Sequence, residues 1–471
     1  MARVRSYEVQ EILDLEYQGN GVAKPEGRVV FVEGVLPGEI VDIRVTRRKK
    51  DVAFGVPTRF HRTSERRVEP FCPHFADCGG CTWQYLGYAD QLRYKERFVG
   101  EVLARLGGVT GPDPLPILGC EQDRFYRNKL DYSFSPTRWL SDEEVAGEEQ
   151  FDDRRALGFH VKGRFDRVLD IHVCFLQRDP SNRIRTEARR IARERGYSFH
   201  DPVRHEGLLR SLVIRTTEDG EVMVILVIHE NRSDAAVGML SALLEAVPAI
   251  TSAYYVVNPS PNDDIAPHEA RHVAGATVIH ERCGSLRLAI HPKSFYQTNS
   301  RQAERLYGVV RQWLEPRDGD VLLDLYCGIG SIGLFLADLV NTVVGIEYVE
   351  EAVECARENA ALNGCANTAF HAGDVRELLG SAGRPGSSIL RPDLVVLDPP
   401  RAGVHPDVIG ELIRLAPRQI LYVSCKPSTQ ARDLGRLREY YHVTRVQPVD
   451  MFPQTFHIEC VVDLKLKKEG A

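Results

Sequence analysis

The sequence lacks features typical of membrane proteins, secreted proteins and strongly basic nucleic-acid-binding proteins. It has no apolar run long enough to cross a bilayer and no secretory leader, so we expect a cytoplasmic protein. Its 60 lysines and arginines do not exceed its 66 acidic residues, and the formal net charge is −6. Any surface that binds nucleic acid must therefore be local. In that compartment the 11 cysteines are expected to be thiols, ligands or catalysts.

The length of 471 residues predicts two or three domains, and a hydrophobic content of 43% is ample for their cores. We expect a multi-domain monomer. Its predicted parts are an OB-like β-barrel over 1–62, a cysteine loop over 63–84, a helix and linker over 85–123, a central α+β domain over 124–280 and an α/β domain over 281–471.

Short strand-like runs and tight glycine turns fill residues 7–60. This pattern resembles a TRAM domain, an OB-like barrel found on RNA-modifying enzymes. The basic run Arg47–Lys50 is expected in a hairpin loop of that barrel. Two interpretations stay open for the run, a merely solvated loop and a surface that binds RNA phosphates.

Three cysteines stand within ten residues, at Cys72, Cys78 and Cys81. These cysteines could bind a zinc ion, but the sequence lacks the second close pair of cysteines that zinc knuckles usually have. Soft thiolates from one loop with a distant fourth favour an iron–sulfur cluster. The fourth ligand is Cys174 or Cys120. We favour Cys174 because it follows a strand-like run, whereas Cys120 lies in a connector rich in proline and glycine.

The stretch Val321–Glu347 predicts a strand, a glycine loop that includes Gly328, a helix and a second strand. Glu347, about twenty residues past the first glycine, suits a ribose diol. The glycine pattern alone leaves two cofactors open, a nicotinamide dinucleotide and S-adenosylmethionine. Asp324, just before the loop, favours the second, because an acid there would crowd a pyrophosphate but suit a cationic ligand.

Alternating strands and helices after about residue 286 predict a doubly wound, Rossmann-like parallel sheet. Such sheets bind ligands at the carboxyl ends of their strands. Five residues fall at or just beyond those ends: Asp324, Glu347, Asp374, Asp398 and Cys425.

Cys425 precedes a predicted helix, and the helix N-terminus together with Lys426 is expected to favour its thiolate. The alternative is an inert buried cysteine. A nicotinamide enzyme of the aldehyde type would also use a cysteine. It would not need the sequence Asp-Pro-Pro-Arg at 398–401, which looks like the substrate-base loop of nucleic-acid methyltransferases.

In the central region, Phe125–Phe134 is predicted to be a strand that carries Arg127 and Lys129. These two cations are candidates for contact with RNA, although basic side chains on a strand are usually only surface. The acidic stretch Ser141–Asp153 is expected to be a solvated loop.

Taken together, the chain resembles the RNA 5-methyluridine methyltransferases, especially their iron–sulfur-containing 23S ribosomal RNA (uracil-C5) branch. The resemblance covers nearly the whole chain and includes the barrel and the four cysteines. Its other motifs are Ser294–Asn299, Asp324–Gly328, Asp398–Arg401, Ser424–Pro427 and His457–Glu459.

The resemblance implies an enzyme that transfers a methyl group from S-adenosylmethionine to C5 of a uridine in RNA, with 23S ribosomal RNA as the favoured target. It implies that Cys425 is the nucleophile and Glu459 the base. The residues assigned to S-adenosylmethionine are Gln297, Tyr326, Glu347 and Asp398, with Asp374, Gly328 and Ser331 beside them. The residues assigned to a [4Fe–4S] cluster are Cys72, Cys78, Cys81 and Cys174.

Other functions stay open at this point. A transfer RNA uracil-C5 methyltransferase and an RNA cytosine-C5 methyltransferase would use similar chemistry. An iron–sulfur RNA-binding or sensor protein with a degenerate methyltransferase fold is a non-enzymatic alternative, although the complete set of strand-end residues argues against it.

Overall fold

The computed structural model describes residues 6–109, 111–147 and 153–467. In those ranges the chain forms three larger sheets, a two-stranded hairpin and ten α-helices. Among the same residues, every helix is too short or too polar to span a bilayer.

The N-terminal residues fold into a six-stranded sheet with its own small core. Its strands are β1 (Ser6–Glu11), β2 (Asp14–Leu15), β3 (Gly21–Ala23), β4 (Val29–Val32), β5 (Ile40–Arg48) and β6 (Val52–Arg62), in the spatial order β1-β5-β6-β4-β3-β2. Alternate side chains of β5 are buried, as expected of a sheet with one face in a core. The basic run begins at the end of β5 and continues into the turn, and all four of its side chains are exposed.

The central region is a seven-stranded sheet with two helices on one face. Its elements are β7 (Lys129–Ser135), α2 (Asp142–Ala146), β8 (Ala156–His160), β9 (Val168–Leu169), α3 (Ser181–Glu194), β10 (Leu209–Thr216), β11 (Val222–Ile228), α4 (Ser233–Ala246), β12 (Ser252–Val257) and β13 (Ala270–Gly275). The strand order is β13-β12-β11-β10-β7-β8-β9. Because β11 is buried along its whole length, this sheet is covered on both faces.

Two predictions for this region need correction. The strand expected from Phe125 begins only at Lys129, because Phe125 has a positive φ of 53° and the Arg127 N–H donates to the Leu176 carbonyl outside the sheet. The acidic stretch contains the short helix α2 and is not wholly a loop, while its residues 148–152 lie outside the described ranges.

A mostly parallel seven-stranded sheet forms the C-terminal part, preceded by the hairpin of β14 (Ile279–Cys283) and β15 (Leu286–Ile290). Its strands are β16 (Val321–Leu325), β17 (Thr342–Glu347), β18 (Thr368–Ala372), β19 (Leu394–Leu397), β20 (Gln419–Ser424), β21 (Tyr441–Val449) and β22 (Glu459–Leu466). The helices are α5 (Ser300–Trp313), α6 (Ser331–Leu336), α7 (Glu350–Leu362), α8 (Val375–Ser381), α9 (Pro406–Leu415) and α10 (Pro427–Leu437).

The strand order β18-β17-β16-β19-β20-β22-β21 reverses direction between β16 and β19. In open α/β sheets, that switch point opens a crevice at the carboxyl ends of the strands. Helices α5, α6 and α7 cover one face of the sheet, and α8, α9 and α10 cover the other. The boundary expected between 280 and 281 falls inside β14, whose partner β15 packs on α7, so we propose that it lies before Ile279.

Helix α1 (Tyr88–Gly107) joins the N-terminal sheet to the C-terminal part by packing along α10. Its Lys95 Nζ lies 2.6 Å from Asp450 Oδ1, and both side chains are buried. On the other side, Gly19 has a φ of +84° and lies so close to Trp83 that a Cβ there would come within 1.8 Å of the indole nitrogen. These contacts connect the N-terminal sheet, α1 and the C-terminal part.

Candidate functional site

The loop after β16 is shaped by three left-handed backbone positions. Tyr326 has a φ of 64°, Gly328 a φ of 54° and Gly330 a φ of 79°. The Gly328 N–H donates to Glu347 Oε2 at 3.1 Å, which ties the loop to the end of β17. The Gly333 N–H donates to Asp324 Oδ2 at 2.8 Å. The loop therefore stays close to both carboxylates at the switch-point crevice, as the sequence predicts.

Asp324 and Asp398 end neighbouring strands, and the pKa of each is raised to about 7, chiefly by burial. The nearby charges of Asp398 and Glu347 raise the pKa of Asp324 further. Gln297 Nε2 donates to Asp398 Oδ2 at 3.4 Å, which opposes the shift at Asp398. A crevice that brings together the carboxyl groups of Asp324, Glu347 and Asp398 favours a cationic ligand.

The other residues assigned to this site lie around the same loop. Asp374 caps α8 and is bound by Arg376, so its pKa is lowered to about 2. Burial raises the pKa of Tyr326 to about 12, and the charge of Asp374 adds to that shift. Asp374 and Tyr326 therefore lie near each other. Ser331 Oγ is 3.2 Å from Tyr307 Oη. Asp374 is thus engaged by an arginine, which its sequence position does not reveal.

Cys425 and Glu459 come from neighbouring strands of the same sheet. Ser424, the last residue of β20, pairs with Cys460 of β22. Continuing that antiparallel register by one residue sets Cys425 opposite Glu459. Glu459 is buried, and its pKa is raised well above the ordinary value by burial and by the charge of Asp398. The thiol of Cys425 therefore lies beside the carboxyl group of Glu459 at the end of β20, and the raised pKa of Glu459 makes its carboxylate a stronger base than usual.

The expectation of a favoured thiolate at Cys425 is wrong for this structure. The pKa of Cys425 is raised to about 11, first by burial and then by the charges of Glu459 and Asp398. The guanidinium of Arg401 opposes that shift by its charge and by a hydrogen bond. Burial, together with the charges of these two carboxylates, thus outweighs any stabilisation of the thiolate by the helix N-terminus.

Two neighbours of this pair were not assigned as site residues from the sequence. Arg401 belongs to the Asp-Pro-Pro-Arg motif, so its position in that motif was an available signal. Tyr17 lies in the turn between β2 and β3, and its pKa is raised to about 12 by burial and then by the charge of Cys425. Nothing in the local sequence connects Tyr17 with residues more than 400 positions away.

All four cysteines of the expected cluster line one small apolar pocket between the loop 72–81 and the segment after β9. Burial raises the pKa of Cys78 to about 11 and of Cys81 to about 12. Mutual repulsion with the other thiolates adds to both shifts. The pocket thus gathers four sulfurs whose ionisation requires a positively charged partner.

Cys120, the alternative fourth ligand, lies elsewhere. Its thiol donates to the Asp450 carbonyl at 3.0 Å, and Asn299 Nδ2 donates to its sulfur at 3.3 Å. These contacts connect the linker to the C-terminal part. Cys174 is therefore the distant cysteine that shares the pocket.

The cations expected to face RNA are partly occupied within the protein. The Arg127 guanidinium lies 5.5 Å from the ring centre of Phe452, and its Nε is buried. Lys129 Nζ is 3.2 Å from Asp131 on the same strand. Arg127 is consequently half-buried against the C-terminal part, not displayed on an open strand.

Comparison with known proteins agrees with this arrangement. A family model described as tRNA (Uracil-5-)-methyltransferase matches residues 205–383 and 387–467, and the TRAM domain model matches residues 4–58. A protein of Bacteroides thetaiotaomicron named an uncharacterized RNA methyltransferase is 42% identical over 455 residues, which cover 96% of this chain and 99% of that one. A protein of Porphyromonas gingivalis with the same name is 43% identical over 459 residues, covering 96% and 98%.

Among solved structures, the Pyrococcus abyssi tRNA (uracil-54, C5)-methyltransferase in complex with S-adenosyl-L-homocysteine superposes with a TM-score of 0.74. It is 28% identical, and the match covers 97% of this chain and 99% of that one. The TRAM domain and the methyltransferase fold expected from the sequence are confirmed. The chain belongs to the tRNA (uracil-5-)-methyltransferase family, as an S-adenosylmethionine-dependent RNA methyltransferase with an N-terminal TRAM domain.

Proposed function

We propose that this enzyme methylates C5 of a specific uridine in 23S ribosomal RNA through a covalent bond between Cys425 and C6 of the base. The observation that carries the proposal is the register of β20 and β22, by which a thiol and a buried carboxyl group stand side by side at the cofactor crevice. Uracil C5 is a poor nucleophile, so a methylase needs both a group that activates the ring and a base.

In the proposed mechanism, the thiol of Cys425 first loses its proton to water, and Arg401 stabilises the thiolate. The sulfur adds to C6, and the electron pair of the C5–C6 double bond makes C5 an enolate carbon. S-adenosylmethionine supplies the methyl group that this carbon takes. Glu459 then accepts the C5 proton, the C5–C6 double bond re-forms, and the C6–S bond breaks to restore the Cys425 thiolate.

The raised pKa of Glu459 suits the last step, because a carboxylate in an apolar setting is a stronger base than one in water. The target uridine must also leave any helix before the sulfur can reach its C6. Tyr17 and Arg401 lie beside the pair, since the charges of Cys425, Arg401 and Glu459 all act on the Tyr17 hydroxyl, and we propose that the extruded base rests against these two side chains.

The residues around the glycine loop fit S-adenosylmethionine. Asp324 Oδ1 is buried without a hydrogen-bond partner in the described part of the chain, and Asp398 has a raised pKa. Both features suit a cationic ligand whose own N–H groups donate hydrogen bonds to these carboxyl groups. We propose that Gln297, Tyr326, Glu347 and Asp398 bind this cofactor, and we assign supporting positions to Asp374, Gly328 and Ser331.

We further propose that Cys72, Cys78, Cys81 and Cys174 hold a [4Fe–4S] cluster. All four cysteines line one apolar pocket, in which the loop supplies three sulfurs and Cys174 the fourth. Such a cluster would neutralise the buried thiolates and fix the loop.

A second candidate target is transfer RNA. The solved structure from Pyrococcus abyssi carries the name of a tRNA (uracil-54, C5)-methyltransferase, and it matches this chain along nearly its whole length. Ribosomal RNA is favoured by the four-cysteine pocket, which belongs to the ribosomal branch that the sequence resembles. The two targets differ only in the RNA, so the same active-site chemistry serves both.

The test begins with transfer of labelled methyl groups from S-adenosylmethionine to transcribed 23S ribosomal RNA and to transfer RNA. Digestion to nucleosides should yield 5-methyluridine from the ribosomal transcript alone. Mapping 5-methyluridine in the RNA of a deletion strain and its parent then identifies the position. Label in transfer RNA would select the second candidate, and label in cytidine would overturn the proposal.

A further inference from the structure

A cavity of about 210 Å³ lies where the N-terminal sheet, α1 and the segment before β22 meet. Five of its eleven lining residues are aromatic, and they come from the N-terminal residues, from α1 and the segment before it, and from the segment before β22. These aromatic residues are Tyr17, Trp83, Tyr94, Phe98 and Phe456. Tyr17 stacks on Phe98 with ring centres 4.0 Å apart, and it meets Phe456 edge-on at 5.6 Å.

The cavity adjoins the reaction centre. Ile458, the residue before Glu459, lies in its wall. Tyr17 also faces the catalytic pair, since the charges of Cys425 and Glu459 both act on its hydroxyl. A molecule in this cavity would therefore be separated from the uridine that reacts by little more than the ring of Tyr17.

The charged side chains of the wall already have partners. Arg97 lies 2.6 Å from Asp14 and 3.7 Å from Glu101. Lys95 is buried against Asp450, and Glu16 accepts a hydrogen bond from Asn20 Nδ2 at 2.6 Å. What the cavity offers a ligand is mainly aromatic surface, which suits a flat and uncharged group.

We propose that this cavity binds one unpaired base of the substrate RNA, next to the uridine that is methylated. The inference rests on the RNA uridine methylation proposed above and adds a second contact at the same site. Extrusion of a uridine unstacks its neighbours, and a displaced neighbour needs a new surface. Aromatic side chains stack on any base, so we expect the cavity to bind the base at one position of the RNA whatever its identity.

The test uses an RNA oligonucleotide centred on the uridine mapped as 5-methyluridine, together with versions that carry an abasic site at each flanking position. With wild-type enzyme, one abasic position should weaken binding about tenfold, the loss expected when one base–aromatic stack is removed. Tyr17→Ala should bind the complete RNA about tenfold more weakly. It should show no further loss with that abasic RNA.

Two variants sharpen the result. Tyr17→Phe retains the ring, so removal of the base from the RNA should weaken its binding as much as it weakens binding by wild type. If the base instead contacted the hydroxyl of Tyr17, Tyr17→Phe would not show this loss of affinity. Phe165→Ala removes a 72%-exposed aromatic side chain of the central region and serves as the matched control. If Tyr17→Ala does not fold, Tyr94→Leu removes another aromatic face of the same wall and gives the same comparison.

The inference is overturned if every abasic RNA carries the same penalty with wild type, Tyr17→Ala and Tyr94→Leu. Loss of the abasic penalty in Tyr17→Phe would also overturn it, because stacking would then not be the interaction. These outcomes differ from failure of the proposed function. In that case wild-type enzyme would not methylate the complete RNA at all.

Discussion

Ser424 pairs with Cys460 in the antiparallel ladder of β20 and β22, and this register sets Cys425 opposite Glu459. The proposed nucleophile and the proposed base are thus brought together by the backbone hydrogen bonds of one sheet. Because the proposed mechanism uses the two groups at opposite ends of the reaction, their substitutions should fail in different ways.

Glu459→Gln keeps the shape of the side chain but cannot take the C5 proton. Methyl transfer should occur once, after which the enzyme should remain bonded to methylated RNA. A slowly migrating band in a denaturing gel would measure that complex. Cys425→Ala should give neither the band nor methyl transfer, while it still binds S-adenosylmethionine.

The double variant Cys425→Ala with Glu459→Gln is the control, since a thioether at Cys425 cannot form in it and the band should disappear. Normal turnover by Glu459→Gln would assign the base to another residue, with Asp398 next in line. Activity in Cys425→Ala would rule out covalent catalysis at this cysteine.

Affinity for S-adenosylmethionine should rise with pH through neutrality. The carboxyl groups of Asp324 and Asp398 have pKa values of about 7, so each is largely protonated below that pH and charged above it. A cationic cofactor prefers the charged forms, and binding should tighten between about pH 6 and about pH 8. Isothermal titration calorimetry of the free enzyme measures this dependence.

Asp398→Asn should flatten that pH profile. Asp374→Asn is the matched control: the pKa of Asp374 is already lowered to about 2 by Arg376, so its removal should leave the slope near neutrality unchanged. An unchanged slope in Asp398→Asn would show that Asp398 does not titrate in this range.

Protein purified without oxygen should be brown and contain about four iron atoms per chain, the content of one [4Fe–4S] cluster. Cys174→Ser removes one sulfur from the pocket and should lose colour and iron. Cys120→Ser is the matched control, because Cys120 bonds to Asp450 and Asn299 away from the pocket, and it should stay coloured. One zinc per chain without iron would contradict the cluster.

Replacing Arg47–Lys50 by four alanines should weaken RNA binding and flatten its dependence on salt. Each lost phosphate contact should reduce the slope of log K against log salt by about 0.7 to 0.9. The rate of methyl transfer from bound RNA should change little, since the run lies outside the crevice.

Arg190→Ala on α3 provides a control for that basic run, since Arg190 is exposed and already paired with Glu187 and Glu194. It should leave both the affinity and the salt slope unchanged. If wild type and the four-alanine variant bind RNA with equal affinity at low salt, the basic run is only a solvated turn and does not bind RNA.

Lys95→Met should lower the free energy of unfolding by about 3 kcal/mol, because it leaves Asp450 buried without its cation. Urea unfolding followed by circular dichroism measures this change in the free energy of unfolding. The relevant transition is the one in which α1 and the C-terminal sheet unfold together. Arg62→Met breaks a pair in which both side chains are 56% exposed, so it should cost less than about 1 kcal/mol. Similar small losses in both variants would contradict a structural role for the buried pair.

The sequence predicts β16 with the observed bounds, because a buried parallel strand is a continuous apolar run and the glycines after it are a local signal. The strand-end positions of Asp324 and Cys425 follow from the same reasoning. Local patterns suffice where one strand and one loop make the feature.

Features that depend on distant parts of the chain could not be predicted in this way. Glu459 reaches Cys425 only because β22 inserts between β20 and β21, an order that the sequence does not encode locally. Tyr17 reaches the same place through the packing of the N-terminal sheet on α1. The thiolate prediction for Cys425 failed for a related reason, since its pKa is raised by burial in the folded chain and then by carboxylates that come from other strands.

The close fit of Gly19 against Trp83 has a consequence for the entropy of RNA binding. A domain on a loose tether would only raise the effective concentration of RNA near the crevice, by an amount set by tether length. A domain clamped at Gly19 and at Lys95 has already lost that freedom during folding. RNA held by the N-terminal sheet therefore meets Cys425 at a fixed span, and loosening the clamp should impair catalysis even when RNA still binds.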